Sequence, residues 1–209
     1  MRKIIILFIP ILFAIIFGYF ILSIINKNVN KQNIKAYITS TSVEEVSKPL
    51  DVATKTKKQD TKRKIDYVAV LEIPKINLKE GLVNSTKKFE SVNYAVSIDK
   101  NSKFPNEKGN FILYAHSGNS SVSFFKYLHK VDIEDAIYVY YYGIRYEYYI
   151  VDKYDIKKTG TAEVLTSNEN NYITLITCNQ KRKGYQTVIV GKLISQTFYW
   201  LYLYNLGAV

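Results

Sequence analysis

The rhythm of apolar positions changes twice along this chain. Behind the opening MRK, an unbroken apolar run, IIILFIPILFAIIFGYFILSII, occupies Ile4 to Ile25. It carries no charge, and as a helix it would cover about 33 Å, close to the hydrocarbon thickness of a bilayer. Pro10 and Gly18 are compatible with such a helix. A cleaved leader would show a shorter run and a small-x-small site, and none precedes Asn26. The pattern therefore predicts an uncleaved membrane anchor over residues 1–25. Flanking charge leaves its direction open, because Arg2 and Lys3 on one side are matched by Lys27, Lys31 and Lys35 on the other.

From Asn26 to Lys64 the periodicity disappears. NKQNIKAYI would extend a helix, but the remainder, ending SKPLDVATKTKKQDTKRK, holds only isolated apolar residues and reads as a polar, Lys-rich stalk over 26–64.

At Ile65 a new texture begins, of short apolar stretches separated by turn signals. DYVAVLEIP predicts a strand that stops near Pro74, which cannot donate to an interior ladder. NYAVSI and NFILYAH predict two more. SVSFFKYLHKV spaces Val122, Phe125 and Leu128 by three, which predicts a short helix capped by Ser120 or Ser121. The strongest alternation is IYVYYYGIRYEYYIVDKY. Ile137, Val139 and Tyr141 share a face, Tyr142-Gly143 makes a turn, and Ile144, Tyr146, Tyr148 and Ile150 share the next face. This is a hairpin whose tyrosines cover apolar surface while their hydroxyls reach water. NYITLITC and YQTVIVGKLI predict two final strands joined by a loop over 179–184. Seven or eight short strands with few helices imply a mainly β fold, closed or nearly closed so that its edges are protected. The tail over 194–209, ISQTFYWLYLYNLGAV, is apolar and aromatic and would cover a barrel end or lie at a membrane interface.

Composition narrows the function. Lys and Arg number 29 against 18 Asp and Glu, a formal charge of +11, which invites an anionic partner. No zinc-finger spacing, Gly-rich phosphate loop or base-reading helix accompanies that charge, so nucleic acid is not expected as a partner. One cysteine and two histidines exclude an internal disulfide and make a structural zinc site untenable. Neither a metal nor a cofactor is expected.

The two chemically interesting residues close predicted strands. Cys178 ends TLITC and His116 follows FILYA, 62 positions upstream. Strand ends are rigid mounts with an open side, and a cysteine thiolate beside an imidazole is a nucleophile beside its acid and base. Spacing alone leaves two alternatives, an inert buried cysteine with a surface histidine, or a Cys-His enzyme. His129 falls in a basic segment and reads as solvated.

TLITC, YAHSG, LEIPKI near the start of the folded unit and VIVGKL after the cysteine together resemble the sortase family over roughly Tyr67 to Leu193. The resemblance implies an eight-stranded sortase-like β-barrel over 65–193, with short helices, held by the N-terminal transmembrane helix in the cell membrane as a single-pass protein with its catalytic domain extracellular. It implies a cysteine transpeptidase that cleaves an LPxTG-like sorting signal of a secreted protein and passes the acyl group to an amine of a cell-wall precursor or a pilin. Matched by motif, Cys178 is the nucleophile, His116 the general acid and base, and Thr177 the residue that positions the acyl group. One position departs from the family. Gln186 stands where an arginine is usual, five residues before Gly191. Gln186 donates hydrogen bonds to substrate without charge, while Arg182 from the adjacent loop, or more distantly Arg145, would supply the guanidinium. The missing arginine also leaves open a tethered sortase-like binding or scaffold domain with weak or no activity.

Overall fold

The computed structural model describes residues 2–43, 65, 67–85, 92, 94–159 and 169–199. One helix, α1 (Arg2–Val43), precedes eight strands: β1 (Ala69–Ile73), β2 (Leu78–Asn84), β3 (Val96–Ile98), β4 (Gly109–Tyr114), β5 (Ala136–Tyr141), β6 (Ile144–Lys157), β7 (Asn171–Cys178) and β8 (Tyr185–Phe198). The strands close into a barrel in the order β1-β2-β3-β4-β7-β8-β6-β5. Closure removes the free edges that short strands would otherwise expose. The β2–β3 and β4–β7 pairs are parallel, and the others run antiparallel.

The two-residue period sorts the side chains. Leu71, Ile73, Leu82, Phe111, Leu113, Ile137, Val139, Tyr146, Tyr148, Ile173, Leu175 and Ile189 fill the barrel. On the outside of β4, β7 and β8, a second group of Ile112, Ile176, Val188 and Val190 is covered by Tyr114, Tyr154, Ile156 and Tyr172. β1 ends at Ile73, where Pro74 begins a short 3-10 turn. Tyr142 and Gly143, both at positive φ, make the tight turn of the β5–β6 hairpin, the geometry whose twist matches the flanking strands. Gly191 is required by close approach: a Cβ there would sit 2.8 Å from Ile173 Cγ2 and 3.3 Å from Tyr148 Cβ.

The membrane span expected over Ile4–Ile25 is not found. Among the described residues, no helix is long and apolar enough to cross a membrane. The apolar run of α1 ends at Ile25. Asn28, Asn30 and Lys31 then follow within the same helix, which continues to Val43. Attachment to the membrane through that helix falls with the span. So does the single-pass cell-membrane location with an extracellular barrel that was drawn from it.

The polar end of α1 instead lies against the barrel. Ile34 and Ile38, one helical turn apart, are buried with Val70 of β1 and Tyr140 of β5. The Tyr37 hydroxyl donates to the Val68 carbonyl, and the Tyr67 hydroxyl to Asn30 Oδ1. Asn30 Nδ2 donates to Glu80 Oε2 at 2.6 Å.

Two other expectations change. SVSFFKYLHKV forms successive turns ending in a 3-10 turn over Leu128–Lys130, because the Phe125 N–H, which an α-helix would aim at residue 121, donates to the His116 carbonyl at 2.9 Å. The start of the C-terminal tail is strand, with Ser195 to Phe198 paired to the first residues of β6. Residues 200–209, like the stalk beyond Val43, lie outside the described residues.

Candidate active site

The site is assembled by strand register. β4 and β7 pair in parallel from Gly109↔Asn171 to Tyr114↔Ile176. One residue further along, Ala115 comes beside Thr177, and His116 follows it beyond the end of β4. The contacts continue over those residues. The Ala115 N–H donates to the Ile176 carbonyl at 3.4 Å, Thr177 Oγ1 donates to the Ala115 carbonyl at 2.7 Å, and Ser117 Oγ donates to the Cys178 carbonyl. On the other side, Cys178 is paired with Gln186 of β8, and Gln186 with Ile156 of β6. Cys178, Gln186 and Ile156 thus form one lateral row across β7, β8 and β6 at one end of the barrel, with His116 two residues past the end of the neighbouring β4. The alternation that buries Thr177, only 5% exposed, turns Cys178 the other way, and its free thiol is exposed.

A hollow of about 100 Å³ opens beside the sulfur, enough for one small substituent. Buried Ser117, Thr177, Thr187 and Phe125 line it together with the more exposed Lys126 and His129. The loop over 179–184 is held by side chains. Asn179 Oδ1 accepts from the backbone of Lys181 and Arg182 at 2.9 and 2.8 Å, a turn that asparagine makes readily. Asn179 Nδ2 donates to Asp155 Oδ2 at 2.8 Å and to Thr187 Oγ1 at 3.1 Å. Gln180 Nε2 donates to the carbonyls of Ser117 and Lys126, tying this loop to the one after His116.

Arg182 lies in that loop with its guanidinium carbon 3.4 Å from the centre of the Tyr185 ring, a stacking that uses the flat face of the cation. Arg145 belongs to the opposite end of the barrel. It pairs with Glu147 at 3.1 Å and lies over the Tyr138 ring, about 36 Å along β6 from Ile156 at ~3.3 Å per residue. Thr177 spends its hydroxyl proton on the Ala115 carbonyl, so its side chain braces the two strands. On the outer face, the Tyr114 hydroxyl donates to Asp99 Oδ2 at 3.2 Å. Burial, and then the Asp99 charge, push its phenol up to about 12, so it remains a neutral donor two residues before His116.

Sequence reasoning did not find Lys158, whose Nζ lies 3.8 Å from Cys178 Sγ, nor the place of His129 on the hollow. Both depend on register and loop path, which no local motif encodes. Among the described residues, no group of three His, Cys, Asp or Glu side chains is disposed to hold a metal ion.

The sequence profile of the sortase domain matches residues 71–194, more than half of the chain. The chain belongs to the sortase family. No curated protein sequence matches it. Among solved structures, Listeria monocytogenes sortase A is similar at 23% identity and a TM-score of 0.54, over 62% of this chain and 88% of that one. Streptococcus pneumoniae sortase C is similar at 18% identity and a TM-score of 0.61, over 80% and 97%. The Clostridium perfringens sortase D5 transpeptidase is similar at 20% identity and a TM-score of 0.55, over 62% and 80%. At these identities the likeness establishes the fold, and the eight-stranded sortase barrel is the architecture of this chain.

Proposed function

We propose that this sortase is a cysteine transpeptidase that cleaves an LPxTG-like sorting signal of a secreted protein and transfers the acyl group to an amine of a cell-wall precursor or a pilin. The observation that supports this reading is the exposed Cys178 thiol at the end of β7, with His116 two residues past the end of the parallel β4 beside it. In the first half-reaction, Cys178 Sγ attacks the scissile carbonyl carbon. A C–S bond forms, the C–N bond breaks, and His116 gives a proton to the departing amine. In the second, the acceptor amine attacks the thioacyl carbon, passes a proton to His116, and releases the Cys178 sulfur. Gln186, next to Cys178 on β8, offers its amide N–H groups to a substrate carbonyl. Arg182, on the loop between β7 and β8, adds positive charge at the rim.

A second reading, a sorting-peptide binder without chemistry, is favoured by one feature, the uncharged Gln186 where an arginine is usual. Incubating the full chain with a library of LPxTG-like peptides and triglycine, and reading the products by mass spectrometry, separates the two. The transpeptidase reading expects an acyl adduct on Cys178 and a triglycine-ligated peptide, both absent from Cys178→Ala. Peptide bound equally by the parent and Cys178→Ala, with no adduct in either, would select the binder.

A further inference from the structure

Gln186 leaves the row across the barrel end without a cation on the strand beside the nucleophile. β6 supplies one from the next strand. Its last paired residues are Ile156↔Gln186 and Lys157↔Tyr185, and the backbone N–H of Lys158 donates to the Gly184 carbonyl at 2.8 Å, fixing the residue where the strand ends. Lys158 is two residues beyond Ile156 and so shares its face. That face also carries Cys178, and Lys158 Nζ stands 3.8 Å from the sulfur. The nearest β6 carboxylate does not draw the ammonium away. Asp155 accepts from Thr187 Oγ1 at 2.9 Å and from Asn179 Nδ2 at 2.8 Å on the opposite side of the strand.

We propose that Lys158 is a catalytic residue of this sortase, the cation that faces the charge on the Cys178 sulfur during attack and departure where no arginine stands at 186. The inference rests on the transpeptidase reading above. The thiol proton passes to His116, and the negative charge left on sulfur sits beside the ammonium, both before attack and when sulfur departs from the thioacyl group. The ammonium stands beside the atom that carries this charge, and only the thiolate is the nucleophile.

The test uses the full chain and two readouts. In the first, Cys178 is alkylated with iodoacetamide from pH 6 to pH 10.5. Lys158→Met should slow alkylation about fivefold or more at pH 7, with the difference from the parent closing toward pH 10.5. Lys158→Glu should slow it further, and Lys158→Arg should restore most of the rate. Lys183→Met, which removes the same charge from the 179–184 loop, should leave the profile unchanged. In the second readout, peptide transfer to triglycine should fall in kcat for Lys158→Met with little change in KM. An unchanged alkylation profile in both Lys158→Met and Lys158→Glu overturns the role of Lys158, whatever transfer is seen. A slowed profile with no transfer by any variant or by the parent upholds the lysine–sulfur contact and overturns the transpeptidase reading instead.

Discussion

The hydroxyl of Thr177 donates to the carbonyl of Ala115 at 2.7 Å, a bond between residues 62 positions apart. It lies one residue short of both Cys178 and His116, and it holds the ends of β7 and β4 together beyond the last regular pair, Tyr114↔Ile176. Thr177→Val keeps the branched shape and removes the donor, leaving a buried carbonyl short of a partner. Stability should drop by about 1–2 kcal/mol in urea unfolding. Peptide transfer should fall by about tenfold or more, since small displacements of reacting groups are costly. Retention of full transfer would show that the paired strand ends need no such brace.

Gln186 and Arg182 differ in what the fold has already committed. Arg182 is stacked on Tyr185, whereas Gln186 sits directly across from Cys178. Exchanging both for alanine should lower transfer by about tenfold or more with the far-ultraviolet spectrum unchanged, and the single variants should assign most of that loss to Gln186. Restoring charge with Gln186→Arg should raise kcat/KM by a similar factor. Equal turnover in the double variant would remove both residues from the reaction.

Much of the barrel is legible in the chain. The β5–β6 hairpin follows from alternation and Tyr142-Gly143, β1 from its stop at Pro74, and β7 and β8 from their β-branched runs. β2 is not, because LKEGLVN breaks its alternation with Gly81 and places Glu80 under a helix that the linear pattern does not dock. The docking of α1 is hidden for the same reason, since Ile34 and Ile38 look like isolated apolar residues until Val70 and Tyr140 are brought beneath them. At the site, Cys178 is visible as the residue that ends β7, whereas β4 stops at Tyr114 and leaves His116 two residues beyond it. Lys158 is invisible among many lysines, since its contact with sulfur is fixed by the pairing of β6, β8 and β7.

The tyrosines of the hairpin do not all keep their hydroxyls in water. Tyr148 is fully buried in the barrel, and among the described residues its hydroxyl has no hydrogen-bond partner. Burial, then the neighbouring Tyr146, push its phenol well above 10. An unpaired buried hydroxyl costs about 1–3 kcal/mol, and Tyr148→Phe removes it without changing the ring. The variant should therefore be more stable by about 1 kcal/mol, seen as a higher urea midpoint at unchanged slope. A destabilised variant would mean that the hydroxyl has a partner, such as an enclosed water.

Glu80 ties the stability of the helix–barrel contact to pH. Its carboxylate accepts from Asn30 Nδ2 at 2.6 Å, yet burial raises its pKa above the ordinary 4.5, with the Asn30 bond pulling partly back. The folded chain therefore holds the Glu80 proton more tightly than the unfolded chain does. This group's contribution to stability is complete below the unfolded value and is lost as pH rises through the folded one. Glu80→Gln keeps an acceptor for Asn30 and carries no charge at any pH. The difference in melting temperature, variant minus parent, should be near zero at pH 4 and grow positive toward pH 8, the titration of other groups cancelling between the two proteins. Protease cleavage within α1 should slow in the variant over the same range, because Asn30 is its contact with Glu80. A difference that stays flat from pH 4 to pH 8 would mean that the carboxylate is solvated and that the contact does not titrate.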